Sequence, residues 1–367
     1  MKKFFSLLLS LAFAGSTFAQ MSGYSSSNYS DGTTLGANET LTADGIALGN
    51  AVKLRGYVDF IFAYSDENGG DQEEDFSTST DLDFLFDLSP VTAELHLTAD
   101  SEDSASLEQA FGRYSVNDDL HITFGRQLTV LGYEADEAPG LFAVTTAHVL
   151  ADDSDLSLLN DNKTRRNYVD GIRVNYNNGM FGVTFGLHDG YWMNDNFNGD
   201  NIAIDIAASV MFFPGLEARI GYANESLDAD SITYNPITDL TVLPSSRDGE
   251  IDQFNAWIEW NPGALTLASE FDTYGIDLGS IEDKIDYWSW MLLANYQFTD
   301  WFAGTLRYTH EDVEVGSVDH DSDRLTFAAL FSLTQNFGLN VEYSTTSVDS
   351  TSKGDFDEFL IEGLITY

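Results

Sequence analysis

Cysteine is absent from the 367 residues, so a disulfide scaffold and any thiol chemistry are excluded. Basic residues are scarce: 16 Lys and Arg stand against 60 Asp and Glu, a formal charge of −44. A surface of that sign repels phosphate, and no nucleic-acid partner is expected. Long apolar runs are missing as well. Beyond the first residues, nothing approaches the run of about 18 apolar residues that a membrane-crossing helix needs.

The two ends of the polar leader are legible from composition. Met1 to Ala19 has a basic start (Lys2, Lys3), an apolar run from Phe4 to Ala14 and small residues before Ala19-Gln20. That order predicts a secretory signal peptide over residues 1–19, too short to cross a bilayer as a helix. Its removal takes two lysines with it and leaves the mature chain more acidic. Residues 20–50 are rich in Ser, Gly, Asn, Asp and Thr with little apolar periodicity, which predicts a flexible polar leader.

From residue 51 to the end the dominant period is two. In "VKLRGYVDFIFAY", Val52, Leu54, Val58, Phe60, Phe62 and Tyr64 form an apolar face, while Lys53, Arg55, Tyr57 and Asp59 occupy the other. Marking each such run gives about sixteen strands, from Val52–Tyr64 to Phe356–Tyr367. Their connections alternate in length. Short ones fall at Ser89, Asn117, Asn177, Pro214, Pro262, Thr299 and Thr334, and long polar ones fall between them. In an up-and-down meander every short turn then lies at one end and every long loop at the other, as in a transmembrane barrel. Tyr176, Phe181, Phe212, Trp260, Phe298, Phe302 and Phe337 flank the short turns on the apolar face, where an interfacial aromatic girdle would sit. A soluble β-sandwich would also alternate, but it predicts neither unequal turns nor a ring of aromatics at one end. The expected fold is therefore all-β: a transmembrane antiparallel up-and-down β-barrel over residues 51–367.

The chain resembles the outer-membrane porins of Gram-negative bacteria, and specifically the OmpL-like β-barrel porins. The residues that carry the likeness are Gly125-Arg126 closing a strand, Gly132 to Glu134 ("GYE"), Ala138-Pro139, Asp170-Gly171 and the "DGYW" turn at Asp189 to Trp192. Terminal Tyr367, in step with Phe359, Ile361 and Ile365, is similar to the C-terminal signal read by the barrel-assembly machinery, although Gly363 sits one position out of place. The resemblance implies a bacterial outer-membrane location and a diffusion channel for small hydrophilic solutes and ions, with no enzyme activity and no cofactor. The partners expected are outer-membrane lipid, the diffusing solutes, the assembly machinery and further copies of the chain in a homotrimer.

The connection from Arg126 to about Asn167 is the longest in the chain and the third external loop. Its apolar stretches "TVLG" and "GLFAVTTAHVL" have little use in water, so the loop is expected to fold inward, bury them against the wall and narrow the lumen. A lid or an adhesive surface outside the barrel is the alternative. Within the loop, Glu134, Asp136 and Glu137 would face the arginines that strand parity points inward: Arg113, Arg173, Arg219, Arg307 and Arg324, with Arg126 breaking parity beside Gly125. These nine residues are the candidate constriction. Inward carboxylates outnumber inward cations, which predicts a weak cation preference. A structural or adhesive barrel with a plugged lumen is the competing function, and an outer-membrane barrel enzyme the third.

Metal and catalytic signatures are weak. Asp319, Asp321 and Asp323, and likewise Asn194, Asn196, Asn198 and Gly199, have calcium-loop spacing without the acidic twelfth ligand, and no metal site is expected at either. Ser350 to Lys353 fits S-x-x-K without its partner motifs. His96 and His121 read as pore lining.

Overall fold

In the computed structural model the described residues are 34–40, 42–68, 70, 72–100, 105–148, 166–192, 202–227, 248–277, 284–315, 318–349 and 354–367. The signal peptide, the first part of the leader, the Asn194–Gly199 motif and Ser350–Lys353 lie outside them.

A two-residue strand, β1 (Ile46–Ala47), precedes sixteen barrel strands. These are β2 (Val52–Glu67), β3 (Gln72–Leu88), β4 (Val91–Asp100), β5 (Ser106–Ser115), β6 (Leu120–Leu128), β7 (Tyr168–Asn177), β8 (Phe181–His188) and β9 (Ala203–Phe213), then β10 (Leu216–Leu227), β11 (Gly249–Trp260), β12 (Leu265–Asp277), β13 (Lys284–Thr299), β14 (Phe302–Val315), β15 (Val318–Thr334), β16 (Phe337–Asp349) and β17 (Phe356–Thr366). Each pairs antiparallel with the next, and β17 returns to β2 in the register Ile365↔Val58, so no edge is left unpaired. The expected barrel and its strand number are found.

The strands run on beyond their expected ends at the long-loop side. β3 begins at Gln72, ahead of the apolar alternation that sets in near Thr78, and β15 at Val318, ahead of the alternation that sets in near Arg324. Hydrophobic alternation marks only the stretch with one apolar face. Above it the same ladder continues with polar residues on both faces, held by backbone hydrogen bonds that hydropathy does not register. Asp319, Asp321 and Asp323, whose spacing resembles a calcium loop, therefore stand on one face of strand β15 and not in a loop.

Short turns close the other end. At Asn177–Phe181 the Asn177 side chain accepts from the Gly179 amide (2.8 Å), the Asn178 side chain accepts from the Phe181 amide (2.8 Å), and Gly179 takes φ +83°, which a side chain would strain. Tyr176, Phe181, Phe212, Trp260, Phe298 and Phe337 are exposed on the outer face at this end, and Phe302 stacks between Phe298 and Phe331. Outside, the barrel presents Phe124, Ile172, Phe185, Ile206, Ile220, Leu292, Leu306 and Phe327 in one apolar band. Such a band suits hydrocarbon and not water.

Candidate functional site

The third external connection is folded into the barrel. From the end of β6 it crosses the lumen, turns through a short 3-10 segment at Ala138–Gly140 and lies along the opposite wall. Its apolar residues are buried as the sequence expects. Leu131 joins Tyr191, Trp192, Ile251, Tyr274, Ile285 and Val313; Phe142 and Ala147 pack on Ala268, Met291 and Leu293; Ala143 packs on Ala303, Ala328 and Leu330. The inner wall of β9–β15 is thus partly apolar, matched to the loop it receives. The "DGYW" turn adds Tyr191 and Trp192 to the same packing, with both amides donating to the buried carboxylate of Glu225 (3.0 and 2.5 Å).

Polar anchors fix the loop at intervals. Wall carboxylates accept from loop amides: Glu270 from Tyr133 (2.6 Å), and Glu342 from Val144 (2.7 Å) and Thr145 (3.0 Å). The Tyr133 hydroxyl donates to Glu259 at 2.7 Å. Burial, and then the Glu259 charge, holds this phenol well above its ordinary range, so it remains the donor.

The three loop acids point in three directions and none hangs free in the lumen. Glu134 is buried against Arg307 and also accepts from the Ala147 amide at 2.6 Å. Asp136 accepts from the Tyr168 hydroxyl at 2.6 Å. Glu137 is buried near His96 of β4, 3.9 Å from its Nδ1.

Five of the six candidate arginines line the interior, each beside a carboxylate. Arg307 meets Glu134 and donates to the carbonyls of Thr145 and Thr146 (both 2.8 Å). Arg324 meets Glu358 at 2.7 Å and Glu342 at 3.6 Å, and Arg173 meets Asp205 at 2.8 Å. Arg113 lies 3.5 Å from Glu94, and Arg219 lies 3.7 Å from Glu217 with its guanidinium 4.7 Å from the centre of the Trp257 ring. Arg126 is different. It follows Gly125 (φ +119°), stands on the outer face and pairs with exposed Asp170 at 3.2 Å, so the structure places it outside the lumen.

Residues 34–40, part of the polar leader, are lodged in the short-turn mouth. Leu35 is buried, the Asn177 side-chain NH₂ donates to its carbonyl (2.7 Å), and a Cβ on Gly182 would collide with that carbonyl, so the glycine makes room for the segment. Arg113 donates to Asn38 Oδ1 (2.9 Å) and Thr40 Oγ1 (2.8 Å), and Thr40 donates to Glu94. Between this segment, the loop and the β2–β8 wall lies a solvent-open cavity. Arg55, Arg113, Arg166 and Arg173 line it, with Glu94, Gln109, Asn175 and Thr184. The lumen is therefore divided: the loop fills the β9–β15 side, and the polar space is on the other. Arg166 and Asn38 take part in this site without any sequence signal that singles them out, whereas Tyr133 and Thr145 lie in stretches the sequence marks without showing their partners.

A scan against protein-family profiles finds no match, and a search of curated proteins finds none. Solved structures with the same architecture are found. OmpT of Vibrio cholerae, an outer-membrane protein in a trimer form, is 14% identical with a TM-score of 0.62 and covers 87% of this chain and 100% of its own. The anion-selective porin from Comamonas acidovorans is 15% identical with a TM-score of 0.62, covering 86% and 99%. OmpF of Salmonella typhi is 14% identical with a TM-score of 0.58, covering 86% and 98%. The chain shares the sixteen-stranded barrel fold of outer-membrane porins.

Proposed function

We propose that the protein is a porin of the bacterial outer membrane, a channel for passive diffusion of small hydrophilic solutes and ions past the infolded third loop. The observation that carries this reading is the polar cavity beside that loop, inside a closed barrel whose outer face is apolar. The likeness to OmpL-like porins in its central motifs agrees with it. Outer-membrane lipid covers the apolar band, three copies associate as in the trimer form of the Vibrio cholerae protein, and the barrel-assembly machinery receives the strand ending at Tyr367. The channel works by shape and charge, without a catalytic group or cofactor.

A weak cation preference follows from the pairing of the lumenal cations. Arg55, Arg113, Arg173, Arg307 and Arg324 each sit against a carboxylate, and the further carboxyl groups of Asp59, Asp81 and Glu362 leave acids in excess on the inner face. The test is a planar bilayer with a potassium chloride gradient. Stable conductance with a reversal potential on the potassium side is expected, fading toward 1 M salt as the Debye length falls to about 3 Å. Absence of conductance would establish the plugged, structural barrel instead. Deeply buried wall residues such as Asp272 and Ser344 are the feature that favours that second reading.

A further inference from the structure

We propose that Asp81, Asp83, His96 and Glu137 form a binding site for one divalent transition-metal cation that fastens the lumenal loop to the barrel wall. This goes beyond the channel reading and does not depend on it.

The donors come from three places: Asp81 and Asp83 from β3, His96 from β4, and Glu137 from the loop immediately before Ala138-Pro139. Each offers one ligand atom, and the four atoms lie within 4.8 Å of one another, all buried. A tetrahedral ion with bonds of about 2.0–2.1 Å holds its ligands about 3.4 Å apart. His96 Nδ1 brackets that spacing, at 2.9 Å from Asp83 Oδ1 and 3.9 Å from Glu137 Oε1.

Clustered carboxylates alone are no site. What sets this group apart is Asp81, which is 1% exposed and has no hydrogen-bond partner at either side-chain oxygen. A charge buried in that way needs a cation or a proton to offset its lost hydration.

The surroundings of His96 present the correct nitrogen. Its Nε2 stands 3.0 Å from Glu94 Oε2, the carboxylate partner that a metal-bound imidazole ordinarily has on its far side. Gln109 accepts from the Leu128 amide through Oε1 (2.9 Å), which turns its NH₂ toward Nδ1 at 3.4 Å. The Glu94 contact puts the proton on Nε2 and leaves Nδ1 as the acceptor beside Asp83 and Glu137, with the longer Gln109 contact the one that an ion displaces. Asp83 is steadied from behind by Arg55 Nε, 2.7 Å from Oδ2.

The charges agree. Asp81, Asp83, Glu94 and Glu137 against Arg55 and Arg113 leave a formal −2, before Glu108 beside Asp81 is added. A doubly protonated His96 between Asp83 and Glu94 is the competing arrangement, and it needs a further proton on Asp81, shared with Asp83 or Glu108. Three carboxylate oxygens and one imidazole nitrogen suit Zn²⁺ or another first-row ion, whereas Ca²⁺ and Mg²⁺ prefer all-oxygen shells. The cavity reaches Arg55, Glu94 and Gln109, so water lies next to the site's outer ring and an ion has a route in.

The experiment uses the folded mature protein in detergent, stripped with a chelator and titrated with Zn²⁺ in millimolar Ca²⁺, which occupies the exposed acidic loops. One Zn²⁺ equivalent per chain is expected. His96→Gln and Glu137→Gln should each weaken it by more than the roughly 10–100-fold typical of outer-shell changes, while Asp319→Asn leaves it unchanged. Absence of that equivalent in the wild type, or its persistence in both variants, overturns the proposal. Should either variant lose its folded gel mobility, Co²⁺ in the wild type decides. Intense visible bands of low-coordinate, nitrogen-ligated Co²⁺ support the site, and the weak spectrum of hexaaqua ion refutes it.

Discussion

The guanidinium of Arg307 stands 2.5 Å from Glu134 Oε1, and neither side chain has any solvent exposure. One belongs to the barrel wall and the other to the loop, 173 residues away in sequence. The same guanidinium donates to two loop carbonyls, so removing the carboxylate strands a buried cation. Breaking a buried pair in this way costs about 3–5 kcal/mol. Glu134→Gln is expected to lower the unfolding midpoint in guanidinium chloride and to add fluctuation to the open-channel current. The double change Glu134→Gln, Arg307→Gln should be milder than Arg307→Gln and Glu134→Gln summed. Strict additivity would place the loop's hold elsewhere.

Closure of the barrel rests on another pair. Tyr367 and Gly56 exchange two backbone hydrogen bonds of 3.0 Å, and the tyrosine ring lies over the glycine, where a Cβ would meet its hydroxyl at 2.9 Å. An aromatic covering a cross-strand glycine seals the first and last strands. Tyr367→Ser and Gly56→Val should therefore share a phenotype, with protein degraded or left in the periplasm. Normal surface amounts of both variants would show that this contact is dispensable for assembly.

A closed ladder with no free edge resists detergent. Unheated protein is expected to migrate differently from boiled protein on a denaturing gel. Identical mobility, with recovery in the soluble fraction, contradicts a membrane barrel.

The barrel was legible because period two is a local signal, repeated strand after strand. Loop infolding was legible for a related reason: Leu131, Phe142 and Ala147 are apolar in a segment that had no other place to bury them. What each loop acid does was not legible. Glu134, Asp136 and Glu137 look alike in sequence, and their fates are set by Arg307, Tyr168 and His96, which only the closed barrel brings near. Arg126 stands outside because the β6 register runs unbroken through Gly125, so the residue keeps the outward parity of Ile122 and Phe124. Composition likewise gave no sign that Asn38 and Thr40 would find Arg113 and Glu94.

That lodged segment yields the last prediction. Residues 34–40 occupy the short-turn mouth beside the cavity, and they are held by one buried leucine and a few polar contacts, not by a ladder. Few buried apolar contacts make a segment easy to release. Leu35→Asp places a charge at a position that is 1% exposed, and it should detach the segment without disturbing any barrel strand. Single-channel conductance is expected to rise, and Arg113 and Glu94 to become accessible from the periplasmic side. Cation preference should fall at the same time, because Arg113 loses its two neutral acceptors and faces the water. Unchanged conductance, with folded gel mobility retained, would mean that ions pass by a route that avoids this mouth.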